Sequence, residues 1–432
     1  MTVNREHQPL VMALRDGIVP PAGLELLATG LEPLTAAVVS ELELVGQGHG
    51  ASKWIRGAYG TGKTFTTRFL CAEARRLGFA TSEVQISIND TPLHHLETVY
   101  RRLIERLTTA ADGVGAFRGV VDGWLYEIGE QVRGLQGLDE SDPRFADATE
   151  QKLAEKLAEL SKQSDSFARV LAAYHRSQHE GDFAGAQGLL SWLGGQPHVG
   201  HAILGRAGVR GAVDGQAALT FLRGVLLVLR QSGYRGLVVV LDEVETIQRM
   251  PSQTREKSLN VLRQLIDQLG NGEYPGLYLV VTGTPEFFDG YKGLKGLQPL
   301  YERVAVKLDP KYPNYRAVQI ELRPFDAPRL LEVGRKVRAL FPEAVRARVD
   351  DSFLEALVAT LTGRFGGKVA ITPRLFLREL IEVLNQTDQH DRYDPHVDYA
   401  LAVDEAALEP TELAALKGLQ PEEVERSRRL DE

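Results

Sequence analysis

The amino-acid sequence predicts an α/β fold: a core built on a parallel sheet with helices on both faces, a large helical insertion and a small C-terminal helical lid. Three observations favour this class. A glycine-rich loop stands between a short predicted strand and an amphipathic helix. A second strand, residues 236–242, is almost wholly apolar, as in parallel sheets that are buried on both faces, and it ends in adjacent carboxylates. The residues between these two motifs have mainly helical patterns.

These patterns divide the chain into predicted regions. An N-terminal helical segment covers 1–50, and the core covers 51–325 with the insertion at about 110–215. The lid covers 326–390, and an acidic, partly ordered tail covers 391–432. Within the insertion we predict four helices, at 117–135, 146–160, 165–179 and 183–193.

Composition restricts the classes of protein that fit. The chain has 432 residues, 43% of them hydrophobic, a formal net charge of −8 and a single cysteine, Cys71. A single cysteine excludes an internal disulfide and fits a reducing compartment. The sequence shows neither an apolar run of about 20 residues nor a signal peptide, so we expect a cytoplasmic protein. The negative charge disfavours a general nucleic-acid coat but leaves room for a local basic surface.

The glycine-rich loop carries the strongest functional signal. Residues 57–64, GAYGTGKT, fit G-x-x-x-x-G-K-[ST] at every fixed position, between a predicted strand at 51–57 and a predicted helix at 64–77. Glycines let backbone N–H groups surround phosphate oxygens, and the helix N-terminus adds positive potential. Lys63 is expected to reach the β- and γ-phosphates of ATP, and Thr64 to hold Mg²⁺. The predicted nucleotide-binding residues are Gly57, Ala58, Tyr59, Gly60, Thr61, Gly62, Lys63, Thr64, Phe65 and, outside this loop, Asp242.

The second signal is the pair Asp242–Glu243 at the end of the apolar strand. Charges at the end of a buried strand need a ligand or a partner. We expect Asp242 to hold Mg²⁺ through water, and Glu243 to orient and deprotonate the attacking water. Together with the P-loop, the pair predicts a site for ATP hydrolysis.

Further candidates follow from position at strand ends. Asn89 follows a predicted strand at 82–88, where it either faces the ligand crevice or caps the next helix. Thr282, with Thr284 as the alternative, follows a predicted strand at 276–281 and can hydrogen-bond the γ-phosphate or the water. Arg303 stands where ring-forming ATPases place an arginine finger, although an ordinary surface arginine is as good an interpretation.

The predicted lid begins with a basic amphipathic helix at 326–340, followed by helices at 351–361 and 373–385. A glycine-rich turn, 362–372, separates the last two helices. Arg374, at the start of the last one, is a candidate to reach back to the nucleotide. The basic residues of the first lid helix, candidates for contact with DNA, are Arg329, Arg335, Lys336 and Arg338.

The joint set of motifs resembles the BrxD family of BREX phage-defence ATP-binding proteins and, more distantly, AAA+ ATPases of the origin-recognition type. The segments that carry the resemblance are GAYGTGKTF, VQISINDTPLHHLE, WLGGQPHV, VVLDEVETIQRM, LRQLID, YLVVTGTPEFFDG and ITPRLFL. The resemblance implies an AAA+ type core with a helical lid, and a role beside other BREX proteins acting against phage DNA.

The resemblance also assigns roles to residues. It implies that 57–64 is the Walker A motif, that Asp242 and Glu243 form Walker B, and that Asn89 pairs with the catalytic glutamate. Thr282 would be sensor 1, where relatives more often carry Asn, and Arg374 would be sensor 2. The expected function is an ATP-hydrolysing switch or motor that engages double-stranded DNA, with a homo-oligomer as a candidate assembly. The alternative is an ATP-locked binding module for partner proteins with negligible hydrolysis.

Overall fold

The computed structural model describes residues 4–138, 141–364, 373–400 and Leu413. The chain forms two compact units. The first comprises Met1–Thr35, Arg56–Phe69 and Glu321–Glu432, and the second comprises Ala36–Ile55 and Leu70–Ile320.

A five-stranded sheet organises the second unit, with the last residues of its first and fifth strands assigned to the first unit. Its strands are β1 Ala51–Arg56, β2 Ala80–Gln85, β3 Leu237–Asp242, β4 Leu277–Gly283 and β5 Gln319–Glu321. The spatial order is β2-β3-β4-β1-β5, and both the β2–β3 and β3–β4 pairs are parallel. The predicted α/β class with a parallel sheet is therefore confirmed.

Register decides which side chains meet at the carboxyl edge of this sheet. Gln85 pairs with Asp242 across β2 and β3, and Leu241 pairs with Val281 across β3 and β4. Thr282 therefore comes next to Asp242 on the neighbouring strand. The apolar run of β3 is buried from Leu237 to Leu241, as expected for a strand covered on both faces.

Most of the remaining regular structure is α-helical. In chain order they are α1 Gln8–Arg15, α2 Glu32–Gly46, α3 Lys63–Arg76, α4 Leu96–Glu105, α5 Phe117–Gln136, α6 Arg144–Gln163, α7 Asp165–His179, α8 Phe183–Leu193, α9 His201–Arg206, α10 Gly215–Gln231, α11 Ser252–Gly270, α12 Pro285–Asp289, α13 Gln298–Val304, α14 Ala327–Arg338, α15 Glu343–Arg348, α16 Asp351–Arg364, α17 Pro373–Gln389 and α18 Pro395–Asp398. The one cysteine, Cys71, lies on α3 and is fully buried. No helix in the described ranges is both long and apolar enough to span a membrane.

The four predicted helices of the insertion are confirmed as α5 to α8. Capping explains two of the boundaries, since Ser164 accepts a hydrogen bond from the Phe167 N–H (3.4 Å) and Asp182 accepts one from the Gly185 N–H (3.0 Å). The insertion shares one continuous hydrophobic core with the sheet, in which Trp124 and Tyr174 are buried. It is therefore an integral part of the second unit and does not have a core of its own.

In the first unit, α1 packs against α17, and α14 packs against α16 and α17. Their apolar faces share a core that includes Leu10, Leu330, Phe376 and Leu380. The predicted glycine-rich turn at 362–372 lies almost wholly outside the described residues, as does the predicted tail from 401 on, except for Leu413.

Strand β2 ends three residues earlier than the sequence pattern predicts. The predicted strand runs over 82–88, whereas β2 covers Ala80–Gln85. The Ser87 hydroxyl accepts hydrogen bonds from the N–H groups of Asp90 and Thr91, both at 3.0 Å, and this turn competes with continued strand pairing. The alternation of residues alone does not show that a serine will close the turn.

Candidate functional site

The loop at 57–62 has the backbone shape of a phosphate cradle. Gly60 and Gly62 have positive φ angles of 77° and 87°, which a side chain at either position would strain. Gly57 must lack a side chain for another reason, because a Cβ there would clash with the Thr61 hydroxyl. That hydroxyl instead donates a hydrogen bond to the carbonyl of Ala58 (2.8 Å) and closes the loop.

Lys63 begins α3 and holds its ammonium group against this loop. Its Nζ donates to the carbonyls of Gly57 (2.8 Å) and Ala58 (3.3 Å), and it lies 5.0 Å from the centre of the Tyr59 ring. The side chain is buried, whereas Ala58, Tyr59 and Gly60 are exposed. A buried ammonium over exposed backbone is suited to meeting an anion that approaches from solvent.

The remaining predicted P-loop residues lie in the first turn of α3. Thr64 and Phe65 are half-buried, and Phe65 packs against the core of the first unit. The first N–H groups of any helix lack carbonyl partners within that helix and carry partial positive charge, which favours an anion at this end. The structure thus brings the nine predicted nucleotide-binding residues 57–65 together in the loop after β1 and the first turn of α3.

In the second unit, the predicted acidic pair is organised by Thr282. This threonine is fully buried at the end of β4, and its hydroxyl donates to Asp242 Oδ1. The Glu243 N–H donates to both Asp242 Oδ1 (3.1 Å) and Thr282 Oγ1 (3.2 Å). The Thr282 hydroxyl is therefore engaged with both members of the pair. Thr284, the predicted alternative, is buried at the start of α12.

Glu243 has an unusual backbone conformation. Its φ of 57° is the one positive value among the non-glycine residues that the structure describes. A left-handed conformation costs a non-glycine residue roughly 1–2 kcal/mol. Such strain is retained where the surrounding structure enforces it, often at functional positions. Glu243 is half-buried and directly follows the last residue of β3.

The partner of the Glu243 carboxylate is Gln85. The Gln85 Nε2 donates to Glu243 Oε2 at 2.9 Å, from the last residue of β2. The sequence predicted this contact for Asn89, which instead lies exposed in the loop beyond the Ser87 turn. The sequence does hold one indication of Gln85. It is the last polar, exposed residue of the strand before Ser87, whose turn ends the strand.

The predicted arginine finger, Arg303, and the predicted sensor, Arg374, both lie within the described residues. Arg303, on α13, is paired within the chain: its guanidinium contacts the carboxylate of Asp267 on α11 and the carbonyl of Pro299. Arg374, in the first turn of α17, lies beside Gly17 in the first unit.

The donor set bears on which cation the site would take. Over the residues that the structure describes, no group of three or more histidine, cysteine or acidic side chains is arranged to hold a metal ion. Mg²⁺ keeps several waters and is commonly held by one or two protein oxygens together with substrate phosphates. A site that offers only single hydroxyl or carboxylate donors is therefore compatible with Mg²⁺ that arrives with a nucleotide.

A P-loop between a strand and a helix, with carboxylates ending a buried parallel strand, defines an α/β protein of the nucleotide-binding P-loop class. More particularly, the chain belongs to the family described as BREX system ATP-binding protein BrxC/D, whose model matches residues 3–403. No curated protein sequence matches the chain. Among solved structures it is similar to the Aeropyrum pernix ORC2 protein in its ADPNP–ADP complexes. That similarity has 13% identity and a TM-score of 0.41 over 93% of this chain and 79% of that one.

Proposed function

We propose that this protein is an ATPase with an AAA+ type core. It acts as a nucleotide-dependent switch or motor in a BREX anti-phage defence complex, beside other BREX proteins, and it engages double-stranded DNA. The observation that carries the catalytic part is the arrangement of Glu243. Its backbone is held in a strained conformation, and its carboxylate is oriented by Gln85. A binding module without hydrolysis has no need for an oriented carboxylate at the end of a buried strand.

Each residue has a distinct role in the proposed reaction. The N–H groups of 57–64 and the Lys63 ammonium bind the phosphates and balance the charge that grows on them during transfer. Mg²⁺, when bound, would add Lewis-acid stabilisation of the same charge. The Thr64 hydroxyl and the Asp242 carboxylate would hold it.

The water-activating step belongs to Glu243. Its carboxylate would accept a proton from a water whose oxygen bonds to the γ-phosphorus, while the bond from that phosphorus to the β,γ-bridging oxygen breaks and ADP leaves. Gln85 would fix the direction of the accepting carboxylate oxygen. Thr282 acts one step back, because its hydroxyl orients Asp242 and caps the Glu243 N–H. Arg303 would serve a neighbouring subunit of a homo-oligomer only after it leaves Asp267. Arg374 remains a proposed sensor of the nucleotide.

The test is ATP turnover by the purified protein, alone and with duplex DNA, compared with Glu243→Gln. Loss of a general base lowers turnover by about 100-fold or more. Glu256→Gln, which removes an exposed carboxylate on α11, is the matched control and should behave as wild type. Lys63→Ala should lose nucleotide binding itself.

Wild-type turnover that stays negligible and no higher than that of Glu243→Gln, with or without DNA, would overturn the proposed hydrolysis. Tight nucleotide binding in both would then establish the ATP-locked binding module.

A further inference from the structure

The basic helix that the sequence offers for DNA contact uses its charges inside the first unit. Arg335 and Arg338 of α14 both pair with Asp351, at 2.8 and 2.7 Å. Lys336 pairs with Glu332 at 2.9 Å and also donates to the carbonyl of Ala28. Two carboxylates, Asp351 and Glu332, thus partly match these three cations, which reduces the positive charge that α14 offers to a polyanion.

A different stretch, Gly290–Arg316 of the second unit, has a large excess of positive charge. This stretch, here called the basic segment, joins α12 to β5 and contains six lysines and arginines against two carboxylates, Glu302 and Asp309. In a chain with a net charge of −8, such a local excess is an electrostatic footprint for an anionic partner.

Four of the six cations of the basic segment are exposed to solvent and outside the described ion pairs. Lys292, Lys307, Lys311 and Arg316 are all exposed, and none of these four forms an ion pair among the residues that the structure describes. The nearby carboxylate of Asp309 is occupied with its own loop, since it accepts hydrogen bonds from the N–H groups of Lys311 (2.8 Å) and Tyr312 (3.0 Å). The positive charge is therefore available at the surface.

Two exposed tyrosines accompany these cations. Tyr291 is 84% exposed and Tyr312 is 70% exposed. The Lys311 ammonium lies 5.3 Å from the centre of the Tyr312 ring. Tyrosine hydroxyls and lysine ammonium groups are both common donors to the phosphate oxygens of DNA.

The last part of the basic segment is a loop, residues 305–316, here called the outer loop. It is anchored at both ends, which fixes the backbone that carries its cations. On one side Val304 of α13 is buried. On the other side the fully buried Lys53 donates from its ammonium to the carbonyls of Tyr315 (3.1 Å) and Ala317 (2.8 Å). A loop held in this way loses less conformational entropy when it binds a partner.

We propose that the basic segment is the surface on which the phosphate backbone of duplex DNA docks, with Lys292, Lys307, Lys311 and Arg316 as the phosphate contacts and Tyr291 and Tyr312 as additional donors. This inference rests on the DNA-engaging part of the proposed function. Contacts of this kind position a duplex without reading its sequence. Binding should therefore depend strongly on salt and weakly on sequence.

The experiment measures binding of a labelled duplex by fluorescence anisotropy over a series of salt concentrations. The test variant combines Lys292→Gln, Lys307→Gln and Lys311→Gln. The control combines Lys152→Gln, Lys156→Gln and Lys162→Gln on α6, which changes the net charge by the same amount. The slope of log K against log salt should fall by roughly 0.9 per lost phosphate contact in the test variant only. ATP turnover without DNA should be unchanged in both.

The outcomes separate this inference from the function on which it rests. Wild type that shows no salt-dependent binding removes both the DNA-engaging role and the docking surface. Wild type that binds, with a test variant of equal affinity and slope, overturns the docking surface alone. A loss of affinity in the α6 control as large as in the test variant would also contradict it, because net charge would then explain the effect.

Discussion

At the scale of single residues, Glu243 carries both the backbone strain of the site and the carboxylate proposed to activate water. Its φ of 57° places an L-residue in the region that glycine tolerates best. The N–H of the same residue bonds to both Asp242 and Thr282, which explains how the fold enforces the conformation. The N–H bonds therefore hold the strained backbone, whereas Gln85 orients the carboxylate.

This strain predicts an order of stability between two variants that both lack the carboxylate. Glu243→Gly relieves the left-handed conformation, whereas Glu243→Ala retains it. The glycine variant should be the more stable of the two by about 1 kcal/mol. Chemical denaturation of both proteins checks the difference. A more stable alanine variant would show that Glu243 is not strained in solution.

Gln85 and Asn89 offer a second test at this scale. Gln85→Leu removes the donor to Glu243 and should lower turnover by roughly tenfold to 100-fold, because a misdirected base loses its alignment with the water. Affinity for ATP should stay unchanged, since the proposed phosphate ligands are the N–H groups of 57–64 and the Lys63 ammonium.

Asn89→Leu is the comparator, and it should leave turnover at the wild-type level because this side chain is exposed in a loop. The reverse result, with Asn89→Leu impaired and Gln85→Leu active, would restore the assignment that the sequence suggested.

At the scale of elements, a buried polar network joins a helix, two strands and the basic segment. Lys53 on β1 donates to Glu41 on α2 at 2.6 Å, and Tyr278 on β4 donates its hydroxyl to the other oxygen of Glu41, also at 2.6 Å. Burial, together with the nearby Glu41 charge, raises the pKa of Tyr278 well above its ordinary value, which keeps the hydroxyl protonated as a donor. The network fixes how these elements meet.

Breaking this network should be costly. Lys53→Met leaves Glu41 and two loop carbonyls without their buried donor, so we expect the free energy of unfolding to fall by about 3 kcal/mol. Lys152→Met breaks the more exposed Lys152–Glu155 pair (3.0 Å) and should cost less than about 1 kcal/mol. Denaturant midpoints compare the two variants. Similar small losses in both would mean that the network contributes little to stability.

At the scale of the whole molecule, nucleotide binding should stabilise the chain. A ligand at 100 times its dissociation constant stabilises a protein by about 2.7 kcal/mol. We expect ATP with Mg²⁺ to raise the thermal midpoint of wild type and of Lys156→Ala, but not of Lys63→Ala. Thermal unfolding followed by circular dichroism checks this. An equal rise in Lys63→Ala would place the nucleotide away from the P-loop.

Much of the fold was predictable because its signals are local. The apolar run of β3, the P-loop glycines and the helical periodicity of α5 to α8 each depend on neighbouring residues. What the sequence pattern did not reveal depended on contacts between distant residues. The Gln85–Glu243 bond joins residues 158 positions apart. The pairing of Arg335 and Arg338 with Asp351, which reduces the charge of the basic lid helix, was equally invisible in the pattern.

The burial of Cys71 has a practical consequence for labelling. The chain has no other cysteine, and this one is fully inside α3. A thiol-reactive fluorophore should therefore leave the native protein almost unlabelled. Tyr312→Cys would then place a single dye on the outer loop of the basic segment, with no native residue removed elsewhere and the wild type serving as the blank.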